Sequence, residues 1–279
     1  MKRKQTIMKS LDDDLNHCPN TLITEIYQTG AVRDPNGKNS HRLVGSAIPF
    51  DEGLALYNWI RRTKPLRTIE IGMAYGLSTL FICQAHADNG LGGTHIVIDP
   101  GQSETYHSIG CLNVERAGLI DQMQFFEAPS YQVLPRLLNE KERFQMVFID
   151  GMHTFDYAFV DFFYADLLLD VNGYLVFDDV WMPSVLKAVI YVTRNRKYRI
   201  EPGIIYNPAN NGQRIRNFIS DKVRRKNKIR LHLKQFAQNP FDLLSFWYLL
   251  KIYRQGSLKY LGLQKLADDK RPWDYHFAF

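Results

Sequence analysis

Cysteine is scarce in this chain. Cys18, Cys83 and Cys111 are the three among 279 residues. They are odd in number and lack metal-ligand spacing, so neither a disulfide framework nor a zinc site is expected, and reduced residues in a cytoplasmic setting are. Long apolar runs are missing too. None reaches the roughly 18 to 20 residues of a membrane-spanning helix. The basic opening "MKRKQ" leads into "TIMKSLDDDLNH", not an apolar signal core, so export is not expected. Internal repeats and low-complexity segments are absent. The net charge of +6 could suit nucleic acid or an anionic surface. Much of it sits in "KVRRKNKIRLHLK", Lys222 to Lys234, without an aromatic ladder or a nucleic-acid module. That run reads as a solvated helix face, and no nucleic-acid partner is expected.

What is present is an ordinary globular composition, 45% hydrophobic and 23% charged, in a chain long enough for one large α/β domain with an appendage. Residues 1–45 read as a polar lead-in with a loop at "RDPNGKNSH". "PFDEGLALYNWIRRT" has helical spacing, with Asp51 and Glu52 in its first turn. Strands and helices then alternate. "TIEIG", "THIVIDP", "MQFFEA", "FQMVFID" and "GYLVFDD" are short buried strands, each followed by a helix. This order predicts a doubly wound, mostly parallel α/β sheet with helices on both faces. The core is expected over 46–205 and a C-terminal helical extension over 206–279. In that extension "IIYNPANNGQRIRNF" reads as loop, 221–267 as helical, and "RPWDYHFAF" as a possible last strand.

"TIEIGMAYGLST", Thr68 to Thr79, is a strand, a glycine turn and a helix start. Gly72 and Gly76 allow a tight turn and close approach of a ligand, or serve geometry alone. The spacing is E-x-G-x-x-x-G-x-S, ending at Ser78, and not the dinucleotide pattern. Glu70 would stand in the path of a pyrophosphate, so a cationic, phosphate-free ligand is expected. Asp99 ends the next strand, where an acidic residue accepts hydrogen bonds from ribose hydroxyls; otherwise it is a turn residue before Pro100. A cationic, ribose-bearing ligand without phosphate describes S-adenosylmethionine.

The segment from about Pro49 to Val180 resembles the class I S-adenosylmethionine-dependent methyltransferases. Within them it is similar to the metal-dependent O-methyltransferases: the catechol and caffeoyl-CoA enzymes, and closer still the macrocin-type enzymes that methylate sugar hydroxyls. "PFDEGLALYNWI" and "FIDGMHTFDYAFVDFFYADLLLDVNGYLVFDD" carry the resemblance, with Phe155 in place of the usual Tyr and Asn172 in place of a Gly. The resemblance implies a Rossmann-like seven-stranded sheet and S-adenosylmethionine as cofactor. It places Ser130 and Tyr131 at the adenine; Ser130 could equally cap the following helix.

In that fold the strands ending in Asp150 and in Asp178–Asp179 are neighbours. Three carboxylates at one sheet edge repel one another unless protonated or bridged by a cation. The resemblance makes Asp150, Asp178 and Asp179 ligands of Mg²⁺, with Mn²⁺ or Ca²⁺ as alternatives. Capping and turn roles are the plainer alternative. His153 stands where the catechol enzymes carry a lysine and is expected to act as general base, with Asp150 also catalytic and in contact with the cofactor. Asp156 or Tyr157 could orient the imidazole. Trp181 and Met182 are candidates for a wall of the acceptor pocket. The acceptor is expected to be a small molecule, a sugar or glycoside ahead of a phenol, and the protein a homo-oligomer. The apolar stretch Asn239 to Arg254 reads as a packed helix, or as a peripheral membrane contact. Two readings compete: a nicotinamide-dependent oxidoreductase, which Glu70 opposes, and a non-catalytic cofactor- or RNA-binding module, which would bind nucleic acid in a salt-dependent way.

Overall fold

The computed structural model describes residues 18–43, 47–206 and 259–272. The basic run Lys222 to Lys234 and the apolar stretch Asn239 to Arg254 lie outside them. Residues 18–43 of the lead-in carry regular structure that their polarity does not suggest. Helix α1 (Thr21–Thr29) starts at Asn20, whose side chain accepts the amide of Leu22, and stops at Gly30 with φ of 64°. Strands β1 (Ala31–Arg33) and β2 (Ser40–Arg42) form an antiparallel hairpin. Ile23, Ile26 and Val32 are buried.

Then follow α2 (Phe50–Thr63), β3 (Arg67–Ile71), α3 (Leu77–Asn89), β4 (Thr94–Ile98), α4 (Ile109–Arg116), β5 (Met123–Phe126), α5 (Ser130–Asn139), β6 (Phe144–Ile149), α6 (Phe155–Leu168), β7 (Leu169–Phe177), α7 (Pro183–Asn195), β8 (Tyr198–Tyr206) and β9 (Tyr260–Lys265). The strand order β5-β4-β3-β6-β7-β9-β8 makes a seven-stranded mixed sheet. By compactness the chain divides into two units, Met1–Gly151 and Met152–Phe279.

In the first unit β3 runs parallel to β4 and β6, and β4 parallel to β5. Consecutive residues such as Ile69, Glu70 and Ile71, or Val147, Phe148 and Ile149, are all buried. Both faces of these strands are therefore covered, as in βαβ architectures. The glycine of the "DEG" segment has a packing role: a side chain at Gly53 would collide with the ring of Phe81 on α3.

In the second unit β7 and β8 both pair antiparallel with β9. This corrects two sequence expectations: 260–265 is a strand, not helix, and 204–206 belongs to a strand, not a loop. Lys265 explains the first miss. A lysine rarely marks a core strand, yet here it is buried, with Nζ donating to the carbonyls of Asp166 at 2.6 Å and Leu169 at 3.0 Å. Asp268 lies 2.9 Å from the same ammonium. Asn172 has φ of 71°; Asn tolerates that left-handed geometry better than most side chains. Residues 273–279, most of the expected last strand, lie outside the described residues.

Candidate active site

The glycine turn follows β3. Gly72 has φ of 92° and Gly76 φ of 80°, backbone geometry that favours glycine. Gly72 donates its amide to the carbonyl of Ile98 at 2.8 Å, and Asp150 donates its own to the carbonyl of Ile71 at 2.9 Å. Between them the chain is so close that a side chain at Gly72 would fall on the carbonyl of Asp150, with the carbonyl carbon at 2.7 Å. Gly76 is the N-cap of α3 and Ser78 lies in that helix's first turn.

Asp99 spends its carboxylate on this turn. Its Oδ2 accepts the amides of Met73 at 2.8 Å and Ala74 at 2.9 Å, and its Oδ1 that of Gly101 at 2.7 Å. Successive amides converging on an anion make a concavity suited to negative groups, and here a protein carboxylate fills it. Two residues not singled out from the sequence pin the turn from the other side. Gln102 donates to the carbonyl of Ala74 at 2.7 Å and Asn113 to that of Tyr75 at 3.0 Å. Amide side chains in loops carry no periodic signal, so nothing in the pattern marks them.

Glu70 departs from its sequence reading. It is fully buried; Ser78 donates to its Oε1, Thr79 to its Oε2 at 2.6 Å, and His95 Nε2 lies 3.2 Å from that oxygen. Strand β3 turns this side chain beneath the turn, where it braces the start of α3. Behind it, His95 Nδ1 lies 2.9 Å from the Thr68 hydroxyl, which lies 2.8 Å from His86 Nε2. Burial, reinforced by His95, pushes His86 down to about 3. A histidine so depressed stays neutral in the fold, while the unfolded chain takes up a proton below about pH 6.5. Stability therefore falls as pH drops from about 6.5 towards 3, by roughly 1.4 kcal/mol per pH unit from this group. His86→Gln should abolish this share of the acid sensitivity. Urea unfolding of both proteins between pH 7 and 4 measures it, and parallel curves would refute it.

Ser130 is the first residue of α5, Pro129 takes the N-cap position, and no side chain caps this helix. The capping role weighed for Ser130 is thus not what the structure has. Ser130 is buried, whereas Tyr131 presents its ring to solvent.

In the second unit His153 and Asp179 come together. His153 Nε2 lies 3.3 Å from Asp179 Oδ2. Asp179 Oδ1 accepts the Trp181 indole N–H at 2.6 Å and the Lys259 ammonium at 3.2 Å. Asp178 behaves differently: it is buried, and its Oδ1 accepts the amide of Asp179 at 2.6 Å. The carboxyl of Asp156, a candidate to orient His153, is held below the usual carboxylate range by a hydrogen bond from Thr154. Lys259 was not anticipated, because it lies 80 residues from Asp179 along the chain.

Residues 69–180 match a family described as a methyltransferase domain. The chain is 29% identical over 184 residues to a caffeoyl-CoA O-methyltransferase of Populus kitakamiensis, covering 59% of this chain and 72% of that protein. It is 30% identical over 155 residues to a putative caffeoyl-CoA O-methyltransferase of Arabidopsis thaliana, covering 54% and 63%. Its fold matches the crystal structure of the O-methyltransferase from Bacillus cereus in complex with SAH, with a TM-score of 0.53 at 19% identity over 65% of this chain and 83% of that one. The chain is an S-adenosylmethionine-dependent O-methyltransferase, similar to the caffeoyl-CoA enzymes. Its reaction moves a methyl group from S-adenosylmethionine to an oxygen of a small molecule. Among the described residues no helix is long and apolar enough to cross a membrane.

Proposed function

We propose that this enzyme methylates a phenolic hydroxyl with the help of a divalent cation, and that His153 removes the hydroxyl proton. The observation that carries the reading is the pairing of His153 with Asp179 at 3.3 Å, directly after the acidic end of β7. The donor chemistry suits a hard cation: the carboxylates of Asp150 and Asp179 each offer an oxygen ligand, the type that binds Mg²⁺ or Mn²⁺, while His153 keeps its imidazole for the proton. Asp178, engaged with a backbone amide, is the weakest member of the expected set. Such an ion, when bound, would polarise the acceptor oxygen and lower its pKa.

The remaining work falls to the chain. The Gly72–Gly76 turn, held by Asp99, Gln102 and Asn113, would shape the cofactor pocket, with Ser130 and Tyr131 on its adenine side. Asp179 would orient the His153 imidazole, which takes the proton as the oxygen attacks the methyl carbon in line with the departing sulfur. Alignment of the two substrates is expected to supply much of the acceleration.

The relatives' names point to a phenolic acceptor. A sugar hydroxyl is the second reading, favoured by Asp179, where the catechol enzymes carry Asn. A methyl-transfer assay over phenols and sugars, with and without EDTA, decides between them. Transfer to a phenol should fall at least tenfold on chelation or in Asp150→Ala, and return with Mg²⁺ only in the native chain. Transfer untouched by EDTA and by the substitution would defeat the metal reading.

A further inference from the structure

One full positive charge stands at the acidic pair without a part in the reaction described above. Lys259 immediately precedes β9, and its carbonyl accepts the amide of Val180 at 2.9 Å. Its backbone is thereby fixed beside Asp179. Its ammonium lies 3.2 Å from Asp179 Oδ1 and 5.6 Å from the centroid of the Trp181 ring. Trp181 donates to that same oxygen, while Oδ2 faces His153. Asp179 is held with φ of 47°, and its carbonyl accepts the amide of Met182 at 2.8 Å. The carboxylate is thus presented from a tight turn, with a resident cation on one oxygen.

We infer that Lys259 is a built-in counter-ion, which neutralises Asp179 when no metal is bound and competes with the divalent ion for it. The inference rests on the reading of Asp179 as a metal ligand. An ordinary surface ion pair contributes little and exchanges freely with water. Lys259 differs because its side chain is only 36% exposed and Asp179 only 17%, and because the indole face adds a second attraction to the ammonium. A cation on Oδ1 repels a divalent ion approaching Oδ2, and partial burial weakens the screening of that repulsion. Affinity for the metal is then set below what the acidic residues alone would give. The ammonium in turn keeps Asp179 from standing as an unpaired, partly buried charge in the metal-free protein.

The test is Mn²⁺ binding, followed by electron paramagnetic resonance on the full chain without substrates. Lys259→Met keeps the stem and removes the charge; Lys259→Arg keeps the charge. The methionine variant should bind Mn²⁺ roughly tenfold more tightly than the native protein, and the arginine variant about as tightly as the native protein. Equal affinity in all three, or weaker binding in Lys259→Met, overturns the inference while leaving the metal reading intact. Failure of every form to bind Mn²⁺ overturns both.

Discussion

Gly72→Ala is expected to remove cofactor binding and to lower stability by roughly 3 kcal/mol or more. Two costs add. At φ of 92° a side chain is strained whatever its surroundings. The added methyl would also fall on the carbonyl of Asp150, and neither partner can yield alone. Asp150 is tied by its amide to Ile71, and Gly72 by its amide to Ile98, so relief requires opening the β3–β6 or β3–β4 ladder at its end. The same shift would displace the Asp150 side chain, so the lesion reaches the residue proposed to hold the metal. Gly90→Ala is the fitting comparison, because Gly90 has φ of 63° but nothing within 4 Å of the added methyl. It should cost only the backbone strain, about 1 kcal/mol. Thermal melts and calorimetric titration with S-adenosylmethionine measure both. A Gly72→Ala protein that binds the cofactor like the native chain would show that the close approach to Asp150 is not essential.

The parallel part of the sheet was legible because its strands are short, apolar on both faces and regularly spaced by helices. Periodicity reports burial, and in β3, β4 and β6 burial is what holds the strands. The antiparallel edge was not legible. β9 contains Gly262, Gln264 and Lys265, and Lys265 is accommodated only through oxygens supplied by Asp166, Leu169 and Asp268. A stretch whose burial depends on distant partners carries no local signal.

The candidate site divides along the same line. The glycine turn follows β3, Asp99 follows β4 and Asp179 lies just beyond β7, positions that the apolar strand pattern marks. The use each carboxylate is put to is not marked. Glu70, expected to face a ligand, is enclosed under the turn because residues of β3 alternate between two covered faces. Asp178 and Asp179 are adjacent in sequence, yet the left-handed backbone at Asp179 sends one to a neighbouring amide and the other to His153. Residue type and spacing bring acidic groups to a sheet edge; single dihedral angles decide which of them faces outward.

His153→Ala should lower kcat by roughly 10²- to 10⁴-fold while leaving the affinity for S-adenosylmethionine unchanged. His153 lies between β6 and α6, outside the glycine turn, so its loss leaves the cofactor's contacts there intact. Its own position is fixed from two sides: the Ser184 hydroxyl donates to its carbonyl at 2.5 Å, and Asp179 Oδ2 lies 3.3 Å from Nε2. A third of the side chain remains exposed, enough to meet an acceptor from solvent. A role in positioning alone would predict a similar loss for every acceptor. A role in proton removal predicts a loss that shrinks as the acceptor's hydroxyl becomes more acidic, since such a proton leaves with less help. Comparing native and variant rates across phenols of falling pKa separates the two. An unchanged kcat would remove His153 from the reaction, and a deficit independent of acceptor acidity would reduce it to a residue that only orients the substrate.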